Sequence, residues 1–356
     1  MWISKKFEKQ DFNKLLKLCY EYYGENDITN DKFINHEYFE NFAGDAYIDL
    51  ALDEQGKEIV GQYVAIPKQI RINAVEKECI LSLNTLTKKE YWGQGIFTGL
   101  AEKTYQHASE DNKLFCYGAP NPNSHPGFLK KLGFHDLGNI PLWVKPLIPS
   151  DLISQKTGKN WLGKMFKWSD FIFSPKFQEN PKYTIQKLDE SNIELINRLW
   201  DKVKNQYPVC FVRNSKYIEW RYLNMPLRDY ISYIVLEDND ICGFIVGRVM
   251  DVSGIRCGMI ADFMFLKQHE EAASYLLKYL TNLFYEEKVS LVGSLMLSHT
   301  KESIVLKNAK FFICPTFLEP QPFPIIFRLF DENYVDKNIL DDFQNWFFTM
   351  GDYDVI

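Results

Sequence analysis

The chain has 356 residues, 46% of them hydrophobic, enough to bury a core and to form two domains of ordinary size. Its 41 Lys and Arg stand against 47 Asp and Glu, and a net charge of -6 excludes general attraction to polyanions and with it non-specific nucleic-acid binding. Seven cysteines (Cys19, Cys79, Cys116, Cys210, Cys242, Cys257 and Cys314) are widely spaced without a CxxC pair, which suits reduced cytosolic thiols and offers no metal-ligand spacing.

The start, MWISKKFEKQDFNKLLK, alternates charged and apolar residues and predicts neither a signal peptide nor an anchor. No stretch approaches the roughly 18 apolar residues of a membrane span, so a cytoplasmic protein without stable membrane insertion is expected. Phe12, Leu15, Leu16, Leu18 and Cys19 recur at helical spacing over 11–23. YIDLALDEQGKEIVGQYVAI (47–66) reads as a β-hairpin turning at Asp53 to Gly56, and CILSLNTLT (79–87) as a strand. A glycine-bearing loop then opens a helix over about 96–108. LFCYGAP (114–120) is a strand, PGFLKKLGF (126–134) a short helix closing on Gly133, and a strand follows.

The second half repeats this order. YISYIVLEDNDICGFIVGRV (230–249) mirrors the hairpin, Cys257 to Phe265 mirrors Cys79 to Thr87, and LKNAKF (306–311) mirrors LKKLGF (129–134). The offsets drift from 183 (Tyr47 to Tyr230) to 177 (Phe134 to Phe311), as in two copies of one fold with unequal loops. The expected organisation is a domain over 1–146, a connector over 147–182, a second domain over 183–330, and a C-terminal helix or tail over 331–356. The connector is basic and aromatic, with Lys156, Lys159, Lys164 and Lys167 beside Trp161, Phe166 and Trp168. It reads as a helix packed on the domains in preference to a membrane-surface helix.

KKEYWGQGIFTGLAEKTY (88–105) joins a strand to a helix through two glycines. A diphosphate needs inward backbone N–H donors with no side chain in the way, and a helix's first turn supplies them. Gly93 and Gly95 permit the close approach, while Gln94, Ile96, Phe97 and Thr98 add donors.

This loop, its flanking strand and helix, and the later GAPNPNSHPGFLKKLGF resemble the acetyl-coenzyme A binding core of the GNAT superfamily of N-acyltransferases. The resemblance spans about 1–146 and, more faintly, 183–330. In the family the loop reads Arg or Gln, two residues, Gly, one residue, then Gly or Ala. Here those places hold Trp92, Gly95 and Phe97, so only the central glycine is met strictly.

The resemblance implies an α/β (α+β) fold of two tandem domains, each a mixed, mostly antiparallel sheet flanked by helices. It implies acyl-coenzyme A as co-substrate, with no metal. The backbone of Thr85, Leu86 and Thr87 would pair with the pantetheine arm. Asn121, Asn123 and Ser124 stand where a cofactor contact is expected, and equally read as helix capping. An amine would attack the thioester while a backbone N–H of the splayed strand holds the oxyanion.

The family's usual acid, a Tyr, is replaced by Leu129, leaving Tyr117 as substitute. The usual acidic base is missing too. Asn84 is cast as an orienting amide and His125 as a candidate base.

In the second copy the loop reads LKQHEEAAS (266–274), where Glu270 and Glu271 would repel a diphosphate. Asp262 stands at the offset of Asn84 and faces either a substrate or a buried partner. Tyr217, Trp220, Arg221 and Tyr222 read as a stacking and phosphate-gripping surface or as packing. WRYLNMP looks similar to a segment of GNAT proteins from bacterial surface-polysaccharide gene clusters. It implies transfer of an acetyl or short acyl group to the amine of a nucleotide-linked amino sugar, such as a dTDP-3-amino-3,6-dideoxyhexose, in O-antigen or lipopolysaccharide synthesis. Other acceptors (peptide, polyamine, antibiotic) or a non-catalytic acyl-coenzyme A binding module are the alternatives. Aromatic content of 15% suits a dense core or a homodimer patch.

Overall fold

The computed structural model describes residues 1–353. The chain forms two compact units. The first comprises residues 1–139, 225–227 and 324–345, and the second residues 140–224, 228–323 and 346 onward.

The first unit begins with β1 (Ile3–Lys6), α1 (Phe12–Tyr23) and α2 (Asp31–Phe39). The hairpin β2 (Tyr47–Leu52) and β3 (Ile59–Ile72) follows, then β4 (Val75–Thr87). Beyond it come α3 (Ile96–Glu110), β5 (Phe115–Gly118), α4 (His125–Lys131) and β6 (His135–Asn139). These match the predicted order closely, because each carries a local pattern: period two in the strands, three to four in the helices.

The second unit takes β7 (Leu142–Pro146), α5 (Pro149–Thr157), α6 (Asn160–Met165) and α7 (Lys167–Phe173). There follow β8 (Tyr183–Lys187), α8 (Glu194–Val203), β9 (Val209–Phe211) and α9 (Ser215–Ile218) with a wider turn over Glu219–Leu223. Its sheet continues through β10 (Tyr230–Glu237), β11 (Asp240–Val252) and β12 (Ile255–Phe265). The unit then adds α10 (Glu270–Glu286), β13 (Leu291–Leu295), α11 (Lys301–Asn308) and β14 (Phe312–Ile313). Next in the chain are β15 (Pro324–Leu329) and α12 (Lys337–Asp341), which belong to the first unit, and then β16 (Trp346–Phe347), which pairs with β9.

The two sheets have the same layout. The first runs β1-β2-β3-β4-β5-β15-β6, the second β8-β10-β11-β12-β13-β7-β14. In each, one parallel pair (β4 with β5, β12 with β13) sits among antiparallel neighbours, the mixed, mostly antiparallel sheet expected.

The sixth place in each sheet is filled from elsewhere in the chain. β7, which follows β6 in the chain, enters the second sheet, and β15, which follows β14, enters the first. The boundaries expected at 146 and 330 are displaced accordingly. Ile140 and Pro141 break what reads as one strand, and proline has no N–H to continue a ladder. The expected C-terminal helix or tail over 331–356 holds the short α12 and β16, and its residues 354–356 lie outside the described residues.

The first unit's core joins Val60, Tyr63 and Ala65 of β3, Ile80 of β4, Leu100, Ala101 and Tyr105 of α3, and Ile326 of β15. Burying such side chains stabilises by about 1.5–3 kcal/mol each before chain entropy is counted. This core fixes α3 against the sheet and so fixes the loop that precedes it.

Candidate active site

β4 and β5 pair in parallel at Ile80 with Cys116, Leu81 with Tyr117 and Ser82 with Gly118. β5 then ends, while β4 runs on to Thr87 with the edge facing away from β3 no longer matched. The strands part because β4 carries an irregularity. The register with β3 shifts between Gln62 and Val64, and Asn84 takes φ +48°. The Gln62 side-chain amide donates to the Asn84 carbonyl (2.9 Å), and the Asn84 amide donates to the Tyr38 hydroxyl (2.9 Å). An extra residue held this way bends a strand and re-aims its backbone.

A cavity of about 690 Å³ opens at the splay. Its walls include Ser82 to Thr87 of β4, Gly118 to Asn121, Asn123, Ser124, Phe97, Phe128 and Trp92, with Tyr22 and Tyr23 from the end of α1. Among the described residues, no carboxylate, His, Lys or Arg lines it.

Gly95 is the N-cap of α3 at φ +76°, and Gly93 lies at φ +79°. Both angles are in the left-handed region, where a side chain is strained. The N–H groups of Tyr91 and Trp92 are spent on Lys88 O (3.0 Å) and Lys89 O (3.1 Å). Among the described residues, none accepts from the N–H of Gly93, Gln94, Gly95, Ile96, Phe97 or Thr98, and the first bond of the helix runs from Gly99 N to Gly95 O (2.9 Å). Six amides are thus left to an outside acceptor at the positive end of a 15-residue helix. The cradle fits a diphosphate, as coenzyme A would bring.

Thr85, Leu86, Thr87, Phe97, Asn121, Asn123, Ser124 and Asn84 all border the cavity, whereas Gly93 to Ile96 and Thr98 form the neighbouring loop. The Thr87 carbonyl accepts the Trp92 indole N–H (2.8 Å), which takes it from pantetheine pairing. The Asn121 side-chain oxygen accepts from the N–H of Asn123 (3.0 Å) and Ser124 (3.1 Å), so capping holds at the border of the cavity.

Two expected catalytic residues do not line the cavity. Tyr117 is fully buried, and standing two residues after Phe115 in β5 it turns to the same buried face beside that ring. His125 has its Nε2 2.9 Å from Asp136 Oδ2, away from the splay.

The cavity also takes in Ser82, which the sequence offers on the strand but which cannot take a proton as a base, and Tyr22 and Tyr23, which the sequence reading missed. The Ser82 hydroxyl donates to the Tyr63 hydroxyl (2.7 Å), which shares a short hydrogen bond with Tyr105. Burial pushes the pKa of both tyrosines well above the usual value, so both stay neutral. Ser82 was legible as a polar residue in an apolar strand. The tyrosines carried no signal separating them from the exposed face of α1.

The substrate residues expected in the second unit are buried, and their exposure as a binding surface is corrected. The Arg213 Nε lies 3.1 Å from both carboxylate oxygens of Asp262, and its Nη2 bonds Asp352 (2.5 Å) and Thr349 (2.9 Å). Tyr222 donates to Asp262 (3.1 Å), Tyr217 to the Gly351 carbonyl (3.2 Å), and Arg221 to the Tyr230 hydroxyl (3.0 Å). Trp220 packs near Tyr217. Buried charges must be paired, and the Arg and acid content of this stretch serves that pairing. Glu270 and Glu271 open α10, where Glu270 pairs with Lys301 (3.0 Å). Glu237, Cys242 and His269 bring ligand-type atoms within 4.8 Å of one another, with Lys182 also 3.1 Å from Glu237.

Residues 4–136 match the acetyltransferase (GNAT) domain family. No curated protein matches the chain by sequence. Among solved structures, a GCN5-related N-acetyltransferase from Anabaena variabilis is similar at TM-score 0.65, with 13% identity over 93% of this chain and 73% of that one. Saccharomyces cerevisiae N-myristoyltransferase with bound myristoyl-CoA follows at 0.64, 11% identity, 92% and 82%. A conserved Enterococcus faecalis protein described as a probable N-acyltransferase gives 0.60, 14% identity, 92% and 73%. At these identities the likeness is one of fold. The family match covers residues 4–136 alone, and together with the N-acyltransferase fold neighbours it supports a transferase.

Proposed function

We propose that the chain moves a short acyl group from acyl-coenzyme A to the amine of a nucleotide-linked amino sugar. The observation that carries the donor half is the run of six unpaired amides from Gly93 to Thr98 beside the splay of β4 and β5. The structurally similar yeast enzyme with its bound myristoyl-CoA supports the same donor. The acceptor half rests on the resemblance of WRYLNMP to polysaccharide-cluster proteins. With Trp220, Arg221, Tyr222 and Met225 of that segment buried, recognition of the acceptor falls to the cavity, where Tyr22 and Tyr23 offer aromatic faces and Ser82 a hydroxyl.

Coenzyme A supplies the thioester carbonyl. Gly93 to Thr98 hold the diphosphate, and the freed edge of β4 orients the arm and presents N–H groups to the carbonyl oxygen. With no ionisable base on the walls, the amine attacks as the neutral form it brings from solution. Ser82 is the wall hydroxyl for the departing sulfur, and donating to it requires the Ser82 hydrogen to turn away from Tyr63, whose hydroxyl then donates to Ser82.

Thiol release from acetyl-coenzyme A across a panel of amino-sugar nucleotides, polyamines and peptides tests the reading. Turnover on a sugar nucleotide is expected, and turnover on polyamines or peptides alone would overturn the acceptor. The base-free wall also favours a second reading, acyl-coenzyme A binding without turnover, which predicts tight binding and no thiol from any amine.

A further inference from the structure

The segment α5–α7 is built inside out. Gly163 of α6 meets α5 so closely that a Cβ there would lie 1.9 Å from Ser154 Oγ and 2.3 Å from the Ser150 carbonyl. Asp170 of α7 accepts from the Ser150 N–H (2.9 Å) and hydroxyl (2.6 Å), and Ser169 is buried with its hydroxyl on the Phe166 carbonyl (2.6 Å). Small and polar residues therefore make the internal contacts. The large apolar ones point to solvent: Trp161 is 59% exposed, Trp168 67%, Phe171 73% and Ile172 65%. Folding normally turns such side chains inward, and an apolar patch of this kind marks an interaction site.

The charges say with what. Between Leu152 and Lys176 there are five lysines, one acid and no arginine, in a chain of net charge -6. The one acid, Asp170, is engaged by Ser150. All five lysines are exposed, so their charges are free to reach an anionic surface. Protein interfaces enrich Arg and deplete Lys, whereas a bilayer surface takes Trp and Phe at the headgroup level with Lys stems snorkelling beside them. Among the described residues, no helix is long and apolar enough to cross a membrane, so contact is confined to the interface.

We propose that α6 and α7, with the end of α5, dock the protein peripherally on an anionic lipid bilayer. The aromatic side chains enter the headgroup boundary and the lysines meet the lipid phosphates. The docking stands independently of the acyl-transfer reading.

The test is flotation of the full chain with phosphatidylcholine vesicles with and without phosphatidylglycerol, together with its mass in solution. Binding to the anionic vesicles is expected to exceed binding to neutral ones by roughly tenfold and to weaken as salt rises from about 0.1 M. A Trp161→Ser/Trp168→Ser/Phe171→Ser variant and a Lys159→Glu/Lys164→Glu/Lys167→Glu variant, both at surface positions, should each lose that binding while keeping the wild-type melting temperature. Equal binding to neutral vesicles, no binding, or undiminished binding by both folded variants would overturn the proposal. So would a dimer that the serine variant dissociates in a protein that ignores vesicles, because the patch would then be a self-association face.

Discussion

Gly95 meets no protein atom where its Cβ would be except Thr98 Oγ1 at 3.9 Å, so space does not require glycine there. The requirement is the backbone at φ +76°, which a β-branched residue reaches only at a cost of about 1–3 kcal/mol. Gly95→Val should rotate the loop's amides away from one another and weaken coenzyme A binding by roughly tenfold or more, read by calorimetry. Its melting temperature should change little, since the loop is peripheral to the core. Unchanged affinity would put the diphosphate elsewhere.

A second residue governs stability. Glu302 is wholly buried in the second unit, its Oε2 accepts from Tyr207 (2.5 Å), and its Oε1 has no partner among the described residues. Burial pushes its carboxyl up to about 7, against the lowering effect of the Tyr207 hydroxyl. An acid whose folded value is raised favours the folded state below the unfolded value of 4.5, and that advantage is lost as pH rises to about 7. The span corresponds to about 3 kcal/mol at 1.36 kcal/mol per unit. Glu302→Gln should flatten the fall in unfolding free energy between pH 4.5 and 7 in urea titrations. A slope equal to wild type would mean that the carboxyl is ionised throughout.

At the scale of the element, local signals were legible and long-range pairing was not. The loop at Gly93 and Gly95 could be read because a phosphate cradle is a contiguous backbone device. β2 to β4 could be read because alternation survives in a short window. The partners of β7 and β15 could not, since neither strand differs in pattern from one that pairs with its neighbour in sequence. Tyr217, Arg221 and Asp262 were ambiguous for another reason: a buried ion-pair network and a ligand surface use the same residue types.

The strand exchange has a testable cost. β15 lies between β5 and β6, and its Ile325, Ile326, Phe327 and Leu329 are buried. A fragment of residues 1–146 lacks that strand and leaves two open strand edges. It should fail to give the cooperative unfolding of the full chain by circular dichroism, whereas adding a linked 324–345 should restore it. Cooperative folding of the bare fragment would show β15 to be dispensable.

For the whole molecule, the identical strand order of the two sheets and the slow drift of offsets from 183 to 177 support one fold used twice. The cradle of free amides lies in the first unit, while the second opens α10 with Glu270 and Glu271. A reaction at the base-free cavity should take its pH dependence from the amine alone. kcat/KM should rise with pH to a plateau with its midpoint at the acceptor's own pKa, about 8 for an α-amino-like group, and that midpoint should shift when an amine of different basicity is used. A midpoint that ignores the amine would point to a protein base.

The most direct test of the donor site is amide hydrogen exchange over the loop, with coenzyme A compared against pantetheine, which lacks the diphosphate. Coenzyme A should slow exchange at Gly93 to Thr98 and pantetheine should not. Protection confined to other segments, or equal protection by both compounds, would contradict the account.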